Sequence, residues 1–158
     1  MQRVSETALA LIGVFLMIGL VVGQSTPLEG TWRANLSKSK YDPGPPPKVP
    51  NTIKWERASG GWRFTTDGVD DKGQKVHTET LEKDDGSEAP VKGATNPTTR
   101  VFKRIDDRTY EDRDTVNGKP TVSRRLVVAS DGKTLTVTTT GTNAQGQKVN
   151  NVTLYEKQ

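Results

Sequence analysis

From Gly30 onward the chain is punctuated at short, regular spacing by Gly, Asp and Asn, and between these breaks Thr, Val, Trp and Tyr alternate with polar residues. A two-residue alternation broken by turn formers is the signature of antiparallel strands, and no stretch of useful length carries the 3.6-residue period of a helix. The pattern predicts strands over 30–36, 52–58, 62–67, 75–82, 98–105, 109–115, 121–129, 134–140 and 148–156, with a short one over 90–92. An internal repeat supports this. Ala58-Ser59-Gly60-Gly61 leads through Phe64-Thr65-Thr66-Asp67-Gly68 to Gly73-Gln74-Lys75-Val76, and Ala129-Ser130-Asp131-Gly132 leads through Val137-Thr138-Thr139-Thr140-Gly141 to Gly146-Gln147-Lys148-Val149. A looser copy runs from Asp106-Asp107 through Tyr110 to Asn117-Gly118. Each reads as strand, tight turn, strand, wider turn, strand, with Gly and Asp supplying the positive φ that hairpins need. So many strands must close on themselves or leave exposed edges. The expectation is an all-β, antiparallel up-and-down meander closing into a barrel of about 8–10 strands.

Two segments break the pattern. Arg3 precedes an apolar run over 8–22, about fifteen residues long, which suits a signal-peptide core and falls short of a membrane span. Residues 1–23 are therefore expected to be a signal peptide and 24–158 the barrel domain, exported to the periplasm or the extracellular space without stable membrane insertion after cleavage. Residues 41–50 hold five of the nine prolines and are expected to form an extended strap between the first strand and the rest. The absence of Cys removes disulfides, thiol catalysis and cysteine-ligated metals. Leu, Ile, Val and Phe are sparse, so the core should be small and semi-polar inside. The net charge of +4 comes from interleaved cations and carboxylates, as in Lys103-Arg104-Ile105-Asp106-Asp107-Arg108, which is a solvated surface and not a nucleic-acid footprint.

Both ends of the expected barrel resemble the calycin superfamily, that is, lipocalins and fatty-acid-binding proteins. Leu28-Glu29-Gly30-Thr31-Trp32-Arg33 is similar to the Gly-x-Trp that opens their first strand, and Thr153-Leu154-Tyr155-Glu156-Lys157 to the closing strand of fatty-acid-binding proteins. The resemblance implies a barrel with Gly30 and Trp32 plugging one end. It does not imply the fatty-acid anchor, because Thr153 stands where that family's Arg would be and only Tyr155 is retained. The lipocalin Arg that packs on the opening Trp is not evident near the C-terminus, and the strap replaces the helical lid. Two central stretches, 103–109 and 131–137, also resemble small exported bacterial proteins, which adds no mechanism.

Chemistry is sparse. His77 is the only histidine and lies among Lys75, Thr78 and Glu79 on a half-exposed strand, with no Gly-x-Ser-x-Gly elbow in the chain. The carboxylates at Asp67, Asp70 and Asp71, and at Asp84, Asp85 and Glu88, lie beside turn glycines and lack the spacing of a calcium loop. No catalytic residue, metal site or cofactor is expected. The aromatic residues carry the positive signal: Trp55, Phe64 and Tyr155 are the candidate walls of an interior ligand site, with Arg104 or Arg124 as its polar contact. The expected function is a monomeric binding protein for a small apolar or amphipathic molecule. The alternatives are a non-enzymatic module docking on protein or polysaccharide and, further off, a hydrolytic enzyme that would have to use His77. A hollow interior and buried tryptophans favour the first; exposed tryptophans favour the docking module.

Overall fold

A computed structural model describes residues 26–70, 72–83, 85–143 and 145–158. The expected signal peptide lies outside them. Ten strands follow one another: β1 (Gly30–Lys40), β2 (Thr52–Ala58), β3 (Gly61–Val69), β4 (Lys75–Glu82), β5 (Ala89–Lys92), β6 (Thr98–Arg104), β7 (Thr109–Val116), β8 (Lys119–Val128), β9 (Thr134–Thr142) and β10 (Lys148–Lys157). Each pairs antiparallel with its sequence neighbour, and β1 also pairs with β10, so the meander closes into a barrel with the order β1-β10-β9-β8-β7-β6-β5-β4-β3-β2. The all-β fold, the up-and-down order and the closure expected from the sequence are all present. Closure pairs every strand on both sides, so the sheet has no free edge strand. The thinnest seam is at β5, which meets β4 and β6 through two register pairs each.

Alternation works as the pattern required. In β2, Ile53 and Trp55 are buried, while Lys54 and Glu56 face outward and pair at 2.7 Å. The two clear repeat copies share one loop geometry. Asp70 Oδ1 accepts hydrogen bonds from the amides of Lys72 and Gln74, and Asn143 Oδ1 accepts from those of Gln145 and Gln147. Gly73 and Gly146 then turn the chain at the same φ of 80°. The short polar side chain substitutes for a backbone acceptor and fixes the turn. Asp70 is thus a turn residue, as expected.

β1 runs four residues beyond its expected end, because it contains a bulge the sequence did not reveal: its register against β10 shifts between Asn35 and Lys40. Ser39 Oγ closes the bulge by donating to the Asn35 carbonyl and accepting from the Leu154 amide. The proline strap leaves β1 at the barrel end where β2 begins. It is tied down where the Asp42 amide donates to Asn151 Oδ1 and the Asn150 amide donates to the Asp42 carbonyl.

Apolar residues gather at the opposite end, where β1 starts and β10 finishes. Leu28, Trp32, Phe102, Tyr110, Leu126, Val128 and Leu135 belong to one buried cluster there. Trp32, expected from the Gly-x-Trp resemblance to plug one end, is fully buried, and its Nε1 donates to the Leu28 carbonyl at 2.9 Å. Lys157 lays its ammonium 5.0 Å from the Trp32 ring centre, a cation–π contact.

Candidate interior binding site

Between the apolar end and the strap lies a cavity of about 260 Å³. Its walls come from strands all round the barrel, including Ile53 and Trp55 of β2, Phe64 of β3, Leu126 of β8, Val137 of β9 and Tyr155 of β10. Trp55 and Phe64 form one wall as a tilted pair with ring centres 4.3 Å apart, cross-strand partners in the β2–β3 register. Asn51, Thr66 and Thr78 line the side towards the strap. Asn51 Nδ2 donates to the Tyr155 hydroxyl at 3.1 Å, joining the residue that follows the strap to β10. Burial pushes the Tyr155 phenol up, against the hydrogen bond from Asn51.

The remaining wall is charged. Arg100, Asp112 and Arg124 line the cavity, and Asp114 and Glu82 stand behind them, so five ionisable side chains from β4, β6, β7 and β8 share the barrel interior. Register places them: Arg100 opposes Asp114, and Asp112 opposes Arg124. Arg100 grips Asp114 with both arms, Nε to Oδ1 at 2.6 Å and Nη2 to Oδ2 at 3.0 Å. Arg124 donates Nη1 to Asp112 Oδ1 and Nη2 to Asp114 Oδ2, each at 2.5 Å. Burial opposes ionisation of Asp114, but the hydrogen bonds and charges of the two arginines overcome it and hold the carboxyl well below its usual range. Burial likewise opposes the charge on Arg124, and Asp112 and Asp114 keep it firmly protonated. Isolated buried charges would be prohibitive, and a closed network of charge-assisted bonds is what allows them here.

Glu82 is the odd member. It is 1% exposed, its Oε2 accepts from Trp55 Nε1 at 3.2 Å, and its Oε1 lies 3.5 Å from Arg100 Nη1 with no hydrogen bond. Burial, with a smaller push from Asp112, raises its pKa to about 7 against the pull of Arg100. With all five groups ionised the network carries one excess negative charge, and Glu82 is where that charge is least supported.

Of the residues singled out from the sequence, Trp55, Phe64, Tyr155 and Arg124 meet around this one cavity. Arg104 does not join them: it ends β6 on the exposed surface, with Nη2 bonded to Asp107 at 2.7 Å. Arg100, four residues earlier and buried, stands where Arg104 was expected. Sequence reading missed Arg100, Asp112, Asp114 and Glu82 because both faces of β7 carry charge, so hydropathy gives no inside. His77 is exposed, paired with Asp67 at 2.7 Å on the β3–β4 hairpin, away from the cavity. Among the described residues no cluster of His, Asp and Glu is arranged to hold a metal ion.

No protein-family model and no curated protein matches the chain. Among solved structures, it is similar to the zebrafish ileal bile acid-binding protein, crystallised in complex with cholic acid, at 13% identity and a TM-score of 0.53. The match covers 84% of this chain and 100% of that one. At that identity the likeness shows the fold, a closed antiparallel β-barrel.

Proposed function

We propose that this calycin-like barrel is a binding protein for a small apolar or amphipathic molecule held in its interior. The observation that carries the reading is the cavity itself, which sets an apolar wall of Trp55, Phe64, Ile53, Leu126 and Val137 against a polar one that includes Asn51, Thr66, Thr78 and the paired charges of Arg100, Asp112 and Arg124. Small-molecule sites combine apolar walls with oriented polar groups, and this cavity has both, with an unusually large polar share. The solved neighbour's complex with cholic acid is in keeping with it. A volume of about 260 Å³ equals the liquid volume of roughly nine waters, which suits a molecule of about ten non-hydrogen atoms. All three tryptophans are 2% exposed or less, which favours an interior site over a docking surface built on exposed tryptophan.

The reading is non-enzymatic: the groups facing the cavity are locked in mutual salt bridges, and His77 lies outside it. Export to the periplasm or outside the cell, as a monomer, is part of the same proposal, supported by the apolar run over 8–22. Native mass spectrometry of protein purified from its own host tests the binding function. The expected result is a released small molecule that is absent from Val137→Trp, whose added bulk fills the cavity. Bare protein mass, together with no binding of small amphiphiles by the wild type, would refute it.

A further inference from the structure

The interior arginines of this barrel are already occupied by its own carboxylates, and this bears on the class of ligand. Arg100 donates Nε and Nη2 to Asp114, and Arg124 donates one terminal nitrogen to Asp112 and the other to Asp114. The Arg100–Asp114 pair is the planar fork in which a guanidinium binds a carboxylate, and Arg124 bridges two carboxylates. Asp112 on the cavity wall and Asp114 behind it therefore already hold the guanidinium donors that the head of an anionic ligand would need. Displacing either would leave a buried carboxylate without its cation, which is strongly unfavourable. The charge count points the same way. Two arginines face three carboxylates once Glu82 is included, so the interior offers an anion no surplus positive charge. Uncharged polar atoms remain on offer. Thr66 and Thr78 line the cavity, and the Asn51–Tyr155 pair presents an amide and a hydroxyl at its strap side.

Resting on the binding function proposed above, we infer that the cavity selects an uncharged amphiphile bearing a hydroxyl or amide group and excludes carboxylates, with Asp112 and Asp114 acting as the excluding groups. Exclusion by a built-in like charge is a recognised route to specificity. Positioning by neutral hydrogen bonds at the strap side would then set the ligand's polar end away from the charged wall.

Isothermal titration calorimetry at about pH 8 with octan-1-ol and octanoate, which share tail length and differ in head charge, tests this on the wild-type protein and on Asp114→Asn. The alcohol should bind wild type at least tenfold more tightly than octanoate. Asp114→Asn, which releases guanidinium donors on both arginines, should bind octanoate at least tenfold better than wild type does while keeping its affinity for the alcohol. Octanoate binding wild type as tightly as octan-1-ol would overturn the inference and leave the binding function standing. A folded Asp114→Asn with unchanged octanoate affinity would also overturn it. Failure of both compounds to bind wild type would overturn the binding function and this inference together. Because the wild-type comparison stands alone, a misfolded variant does not remove the test.

Discussion

Replacing Glu82 by Gln should abolish a pH dependence of stability that this one buried carboxyl imposes. The groups facing Glu82 are Arg100 from β6, Asp112 from β7 and the Trp55 indole from β2, and burial outweighs the help from Arg100, giving a pKa of about 7 in the folded protein. The unfolded chain exposes the same carboxyl at its ordinary value of 4.5. Between these two values the folded state holds a proton that the unfolded state has lost, so stability falls as pH rises. Integrated over that window, the loss attributable to Glu82 is on the order of 2–3 kcal/mol between pH 5 and pH 8, most of it before pH 7. Above about pH 8 both states are ionised and the contribution is flat. Urea denaturation of wild type and Glu82→Gln at half-unit steps of pH isolates the term, because the other carboxyls titrate in both proteins and cancel in the difference. Gln keeps a carbonyl acceptor for Trp55 Nε1 and removes only the titration. The wild type should lose on the order of 2–3 kcal/mol relative to the variant across this range. A difference flat to within about 0.5 kcal/mol, against the full shift expected, would show that Glu82 is ionised throughout and that Arg100, not burial, governs it.

Asp114 works in the opposite direction: its depressed pKa contributes stability that is present above its unfolded value of about 3.9 and lost as pH falls towards its folded one. Asp114→Asn should therefore flatten the acid limb of the stability profile, as read by thermal unfolding below about pH 5. An unchanged limb would count against the network. Arg124→Leu leaves Asp112 and Asp114 buried without one shared partner and should cost about 3–5 kcal/mol in chemical denaturation; a loss under about 1 kcal/mol, the value typical of an exposed pair, would refute its role. Trp32→Ala empties the barrel plug and should cost a further order of about 3–5 kcal/mol, measured the same way. Gly61 has a φ of 153°, and a Cβ there would lie 2.0 Å from the Glu82 carbonyl oxygen. Gly61→Ala should lower the melting temperature by more than Gly60→Ala, whose Cβ would meet nothing within 4 Å.

Most of the fold was legible in the sequence, since a period of two and the turn chemistry are local. The expected spans over 52–58 and 75–82 coincide with β2 and β4, and the repeat copies fold into matching hairpin loops. Gly30 and Trp32 carried the plug, and Trp55, Phe64 and Tyr155 could be assembled around a common interior because apolar side chains on a half-buried strand have one place to go. The charged side chains gave no such signal. In Thr109-Tyr110-Glu111-Asp112-Arg113-Asp114 both faces are ionic, and only the β6–β7–β8 register decides that Asp112 and Asp114 turn inward to meet Arg100 and Arg124 while Glu111 turns outward to Arg125. A one-residue slip would exchange the two sets. Lys157 over Trp32 and Ser39 closing the bulge in β1 depend in the same way on where β10 lies against β1. By itself, then, the sequence determined an all-β closed meander with an aromatic interior, because local alternation and turn residues suffice for that. That the interior is hollow, and that its arginines are already held by its own carboxylates, was decided only by tertiary structure, because burial of a charge depends on partners that arrive from distant strands.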